Sequence, residues 1–238
     1  MDPVSFCDDI VLFCQSNGDE ATIIKYSKYF KEGYDAYGVP TEIFLAKIDA
    51  LYSSGTIDLP LLLESAPQLL LSGKYEETSF VIVLTEKFKK KFDNQTFEAI
   101  EKWFEYGITN WAHTDTLCGT VLPWFFLKNI VPLERLNSWR ISPYKFQRRC
   151  VPVTMIKLLK STNDFKFLFD MIDLMMLDNE RVVHQGLGWF LREAWKIKHK
   201  ETEEFLFKWK DYAARLIFQY ATEKMHPEER MKFRKNKH

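Results

Sequence analysis

Apolar residues recur along nearly the whole chain at intervals of three and four, the spacing that lays one apolar stripe along an α-helix. Val4 to Gln15 reads as a short amphipathic helix closed by Ser16-Asn17-Gly18. Glu20 to Tyr34 reads as a second, with Ile23, Ile24, Ser27, Tyr29 and Phe30 near one side. Tyr37-Gly38-Val39-Pro40-Thr41 is a turn whose proline stands where a helix can begin. That helix runs to about Tyr52 and stops at Ser53-Ser54-Gly55. Leu59 to Leu71 and Tyr75 to Phe92 follow, and then a helix capped by Asp93 or Asn94 that ends near Gly107. Lys87, Lys89, Lys90 and Lys91 lie at the C-terminal end of their helix, where its dipole favours cations. Further helices are expected over Asp115 to Ile130, Pro132 to Trp139, Ser142 to Lys160, Asp164 to Leu177, Asn179 to Lys198 and Glu201 to Tyr220. Ser142-Pro143 supplies an N-cap and a first-turn proline. A short basic tail starts at Pro227.

No stretch alternates as a strand would. Roughly a dozen helices joined by short loops predict an all-α fold, a HEAT-like superhelix of antiparallel helical hairpins. With no long linker, residues 1–238 are expected to form a single repeat domain.

One stretch breaks the helical economy. His184-Gln185-Gly186-Leu187-Gly188-Trp189-Phe190-Leu191-Arg192-Glu193-Ala194-Trp195 holds two glycines within a helical pattern. Each costs roughly 1 kcal/mol against alanine inside a helix. Their presence predicts a close approach at that point, by another helix or by an outside partner.

Composition changes the picture in three ways. The apolar fraction of 46% suffices for a core, and 20 Phe and 7 Trp suit helix packing as well as stacking on bases or sugars. The formal charge is zero but polarised: residues 1–80 carry 5 Lys+Arg against 13 Asp+Glu, leaving a net +8 on residues 81–238. A nucleic-acid partner would meet the second half first, although a neutral total argues mildly against one. Cys7, Cys14, Cys118 and Cys150 lack metal-ligand spacing and read as reduced. No signal peptide and no membrane span are expected, so the chain reads as cytoplasmic.

Three constellations could carry chemistry. Trp111-Ala112-His113-Thr114-Asp115 sets an indole and a carboxylate four apart, on one face if both are helical. Asp115 also suits the N-cap of a helix starting at Thr116. Arg148 and Arg149 stand early in a helix that Pro152 should kink, since proline cannot donate to the Arg148 carbonyl. They read either as a solvated pair or as a clamp for phosphate or carboxylate. Trp189 and the pair Arg192-Glu193 read singly as a core residue and a surface ion pair.

Taken in order, Trp111-x-x-x-Asp115, Arg148-Arg149, Gly188-Trp189-x-Leu191-Arg192-Glu193 and Tyr220-Ala221-Thr222-Glu223-Lys224-Met225…Pro227-Glu228-Glu229-Arg230 resemble the AlkD-like DNA alkylation-repair glycosylases. Lys28-Tyr29-Phe30-Lys31…Tyr37-Gly38-Val39-Pro40 resembles their entry segment. The resemblance covers nearly the whole chain and implies HEAT-like repeats with a concave, basic, DNA-binding face. It implies excision of positively charged N3- or N7-alkylated purines from double-stranded DNA, a scheme that requires no metal or organic cofactor, and a solenoid of this size reads as a monomer. Carried over, Asp115, Trp111, Trp189 and Arg149 are the catalytic-cleft residues, and Arg148 and Arg192 contact DNA. The chain departs from the pattern at Phe146, where tryptophan is usual, at Thr41-Glu42-Ile43, where an arginine is common, and at Pro152. Two other readings compete: a HEAT-like protein that binds branched or damaged DNA without cutting, and a protein-binding scaffold whose Trp and Arg residues are anchors.

Overall fold

The computed structural model describes residues 1–235, so the last three residues of the expected basic tail lie outside it. All regular structure among the described residues is helical, in agreement with the all-α expectation. The chain divides into two compact units, Met1–Phe125 and Phe126–His238.

The first unit contains α1 (Pro3–Ser16), α2 (Glu20–Ser27), α3 (Thr41–Ser54), α4 (Leu59–Leu71), α5 (Tyr75–Lys87), α6 (Asn94–Tyr106) and α7 (Trp111–Thr120), and α8 (Leu122–Leu127) crosses its end. Acidic and amide residues start these helices as free backbone N–H groups require. Asp2, Asp19, Asp58, Asp93 and Asn110 each accept a backbone N–H of the first turn. α4 and α5, joined through Ser72-Gly73-Lys74, pack on each other; α1 lies against both, α3 and α7 against α5, and α6 against α4. Phe6, Ile10, Leu62, Phe80, Ile82, Phe97 and Trp103 fill the space between them.

The second unit contains α9 (Lys145–Ile156), α10 (Phe165–Ile172), α11 (Arg181–Trp195), α12 (His199–Trp209), α13 (Arg215–Ala221) and α14 (Pro227–Met231). α11 is its centre, packed by α9, α12 and α13. Phe190, Leu187, Leu191, Ile217 and Phe218 are fully buried there.

The helix expected over 75–92 ends at Lys87 before a 3₁₀ turn, that over 132–139 is replaced by two short 3₁₀ turns, and those expected to reach Lys160 and Leu177 end at Ile156 and Ile172. Four other shifts have a local reason. The helix expected to reach Tyr34 ends at Ser27, where the Tyr29 and Phe30 N–H groups turn back on the Tyr26 and Ser27 carbonyls at 3.0 Å and Phe30 and Tyr34 enter an aromatic cluster. The helix expected over 115–130 begins at Trp111 and stops at Thr120, since Pro123 has no N–H to continue it. The helix expected to begin at Ser142 begins at Lys145, with the Ser142 Oγ accepting the Tyr144 N–H at 3.1 Å. The run expected over 201–220 is α12 and α13, separated where Tyr212 and Ala213 both turn back on the Trp209 carbonyl at 3.1 and 3.0 Å.

Candidate active site

The start of α7 decides what Asp115 can do. The Asn110 Oδ1 accepts the His113 N–H at 2.9 Å, and the Asn110 Nδ2 donates to His113 Nδ1 at 2.7 Å. A carbonyl can only accept, so the His113 Nε2 carries the ring proton and donates to the Tyr75 carbonyl at 2.9 Å. Burial holds the His113 pKa down to about 4, so the ring is neutral at physiological pH. These bonds fix the first turn at Trp111. Asp115 then falls inside the helix, one turn beyond Trp111 and on the same face. The N-cap reading of Asp115 is therefore overturned, because Asn110 fills that role. Asp115 is half-buried.

Trp111 remains 42% exposed, enough for one indole face to be reached from outside. Phe30 stacks on it at 5.5 Å and 18°, and its Nε1–H donates to the Tyr29 carbonyl at 3.2 Å. Phe30 in turn stacks on Tyr34 at 4.6 Å, and Tyr75 stacks on His113 at 4.5 Å. Beside this cluster is a cavity of about 610 Å³ lined by Tyr26, Phe44, Tyr75, Ser79 and Trp111, among others. The buried Glu76 also borders it, but its carboxylate accepts the N–H groups of Tyr37, Gly38 and Val39 at 2.9, 2.8 and 3.1 Å. Those bonds pin the Tyr37-Gly38-Val39-Pro40 turn, where Gly38 has a φ of 81° and a Cβ would lie 2.2 Å from the Asp19 carbonyl oxygen. Sequence reasoning missed Asn110, His113, Tyr75 and Glu76. The Asn110-x-x-His113 cap spacing was the one local signal available for them.

In the second unit, both glycines of α11 meet helices. A Cβ on Gly186 would lie 3.2 Å from Val153 Cγ2 and 3.3 Å from Arg149 Cγ on α9. A Cβ on Gly188 would lie 2.4 Å from Tyr220 Cβ and 2.7 Å from the Ile217 carbonyl oxygen on α13. The close approach expected from the sequence is thus by two neighbouring helices. Trp189, Gln185, Arg192 and Glu193 follow one another at helical spacing along the half-buried side of α11. The Trp189 indole has no hydrogen bond or ring stack among the described residues, whereas Gln185 donates to the Tyr220 hydroxyl at 2.8 Å.

The arginines are engaged by the protein itself. Arg148 holds Asp178 through Nε at 2.6 Å and Nη2 at 3.3 Å, and donates from Nη1 to the Ser142 carbonyl at 2.7 Å. Arg149 is 6% exposed, and its Nη1 donates to the Val182 carbonyl at 2.6 Å, tying α9 to the first turn of α11. The solvated-pair reading of these two residues fails, since both guanidinium groups are turned onto α11 and the segment before it. Arg192 pairs with Glu193 at 3.0 Å and Glu223 at 2.5 Å. Glu193 also holds Lys196 at 2.7 Å, and these contacts keep its carboxyl below the usual carboxylate range against the opposing effect of burial.

Fold and local geometry thus define an all-helical protein with an exposed indole and a carboxylate one turn apart on α7, and a second indole on a glycine-bearing helix. The model of the DNA alkylation repair enzyme family matches residues 14–225, and the chain belongs to that family. Its role accordingly lies in the repair of alkylated DNA. Among solved structures it resembles one described as a predicted DNA alkylation repair enzyme from Enterococcus faecalis. The TM-score is 0.76 at 17% identity, covering 89% of this chain and 98% of the other. At that identity the likeness speaks for the fold. No curated protein matches the sequence. Among the described residues, no helix is long and apolar enough to cross a membrane.

Proposed function

We propose that the protein is a DNA glycosylase that removes cationic N3- or N7-alkylated purines from double-stranded DNA by hydrolysing the N-glycosidic bond. The observation that carries the reading is the Trp111–Asp115 pair on one face of α7, with the indole 42% exposed and the carboxylate relieved of helix capping. An alkylated purine already bears a positive charge and leaves without much help from a general acid. The sugar left behind is oxocarbenium-like, as in other glycoside cleavage. A carboxylate about 4 Å from that charge, at an effective dielectric near 20, stabilises it by roughly 4 kcal/mol, about a thousandfold in rate. Asp115 also orients the attacking water in this scheme. The electron-rich face of Trp111 favours the cationic nucleoside.

Arg149, Arg148 and Arg192 enter differently from the expectation. Their guanidinium groups serve first to hold α9, α11 and the turn after α13 in place. This engagement is the observation that favours the second reading, a damage-binding protein that does not cut. Incubating the protein with methylated duplex DNA and assaying free 7-methylguanine separates the two. Release of the base supports the glycosylase. Binding of the same duplex without release supports the alternative.

A further inference from the structure

The end of the second unit holds a cleft that neither the family nor the Trp111–Asp115 pair accounts for. A cavity of about 270 Å³ is lined by Arg215, Arg230, Arg234, Pro227 and Met231. Arg215 opens α13, Arg230 lies in α14, and Arg234 follows three residues after that helix ends. No carboxylate lies within ion-pair distance of any of the three among the described residues. Glu229, next to Arg230 on α14, is turned back to accept the His226 N–H at 3.0 Å.

The arrangement is held from below. Phe233 is fully buried and packs on Phe207 at 4.7 Å, which anchors the segment between Arg230 and Arg234. Its carbonyl accepts a hydrogen bond from Arg215 Nη1 at 2.8 Å. One donor of Arg215 is therefore spent on fixing the guanidinium, and the others are left for the cleft. Burial, with Arg234 and Arg230 adding repulsion, lowers the Arg215 pKa below its ordinary value. Three like charges around one hollow, without an acid among them, form an arrangement that an anion completes. Arginine's planar fork suits the oxygens of a phosphate in particular.

We infer that Arg215, Arg230 and Arg234 form a binding site for a phosphate oxyanion, supplied either by the backbone of duplex DNA or by free phosphate. This inference concerns binding alone and does not depend on base release.

The test uses the full chain carrying Arg230→Gln and Arg234→Gln, which leaves the Arg215–Phe233 bond intact. A control carries Lys232→Gln and Lys235→Gln, two nearby exposed cations that do not line the cleft. Affinity for a short unmethylated duplex is measured against salt. Thermal unfolding is followed in inorganic phosphate and in chloride at matched ionic strength. A fall of about 1 in the slope of log K against log salt for the arginine variant, but not for the lysine control, identifies a duplex phosphate. An unchanged slope, with stabilisation by inorganic phosphate present in wild type and lost in the arginine variant, identifies free phosphate. If neither readout changes, or the lysine control changes as much, the site does not exist. Release of 7-methylguanine is followed in parallel. A wild-type protein that binds the duplex without releasing base refutes the glycosylase reading while leaving these binding outcomes legible.

Discussion

Replacing Gly188 by alanine sets two effects against each other. Alanine raises the intrinsic helix preference of α11 by roughly 1 kcal/mol. The new methyl, however, would lie 2.4 Å from Tyr220 Cβ and 2.7 Å from the Ile217 carbonyl oxygen, where ordinary contact begins at 3.4 Å. Neither neighbour is the free end of a flexible side chain, so α13 must retreat by roughly the missing ångström. Overpacking of this kind costs about 1–3 kcal/mol. The retreat also stretches the Gln185–Tyr220 hydrogen bond of 2.8 Å, worth about 1 kcal/mol net. The clash therefore wins, and Gly188→Ala should destabilise the second unit by about 2 kcal/mol. Gly186→Ala meets two side-chain atoms at 3.2 and 3.3 Å, which a shift of a few tenths of an ångström accommodates, and the Arg149 carbonyl oxygen at 3.5 Å, an ordinary contact. Its propensity gain and packing cost should nearly cancel. Urea unfolding followed by circular dichroism reads the difference. At a slope near 2 kcal/mol/M, the Gly188 variant should lose about 1 M in midpoint with the slope unchanged, and the Gly186 variant almost nothing. A Gly188 variant as stable as wild type, or a Gly186 variant that suffers more, refutes the account of why α11 carries two glycines.

His113 predicts a limb in the pH dependence of stability. Its folded pKa is depressed to about 4, so above about pH 6.5 the group costs nothing. As pH falls from there toward 4, the unfolded chain takes up a proton that the folded chain refuses, and stability drops by roughly 3 kcal/mol. Denaturant titrations across that range should show the limb in wild type and its absence in His113→Gln; equal curves would contradict the assignment. Asp178→Ala leaves Arg148 partly buried without its acid and should cost about 3 kcal/mol, read as a lower urea midpoint. Replacing both residues with apolar ones should recover much of that loss, and a double variant no better than the single would count against a true pair.

Helix class was legible because the apolar period runs through almost every segment. Helix ends were legible where a short acid precedes the first turn, as at Asp93, one of the two expected caps, whose side chain accepts the Thr96 N–H. The end of α2 was not, because it depends on Phe30 and Tyr34 being drawn toward Tyr75 and Trp111, partners far away in sequence. The same holds for Asp115. Its local sequence suits a cap, and only the bonds from Asn110 to His113 move the helix start four residues earlier. The two glycines announced a close approach but could not say whose. Nor could the sequence show that Arg148 finds Asp178 thirty residues on, since long-range ion pairs leave no periodic trace.

The central claim concerns the Asp115 carboxylate, and single-turnover release of 7-methylguanine from methylated duplex DNA tests it most directly. Wild type and Asp115→Asn should be compared at protein concentrations that saturate the DNA, so that only the bond-breaking step is read. The asparagine variant keeps the shape but loses the charge, and the account predicts a rate about a thousandfold lower with duplex affinity unchanged. Equal rates for the two proteins would contradict it.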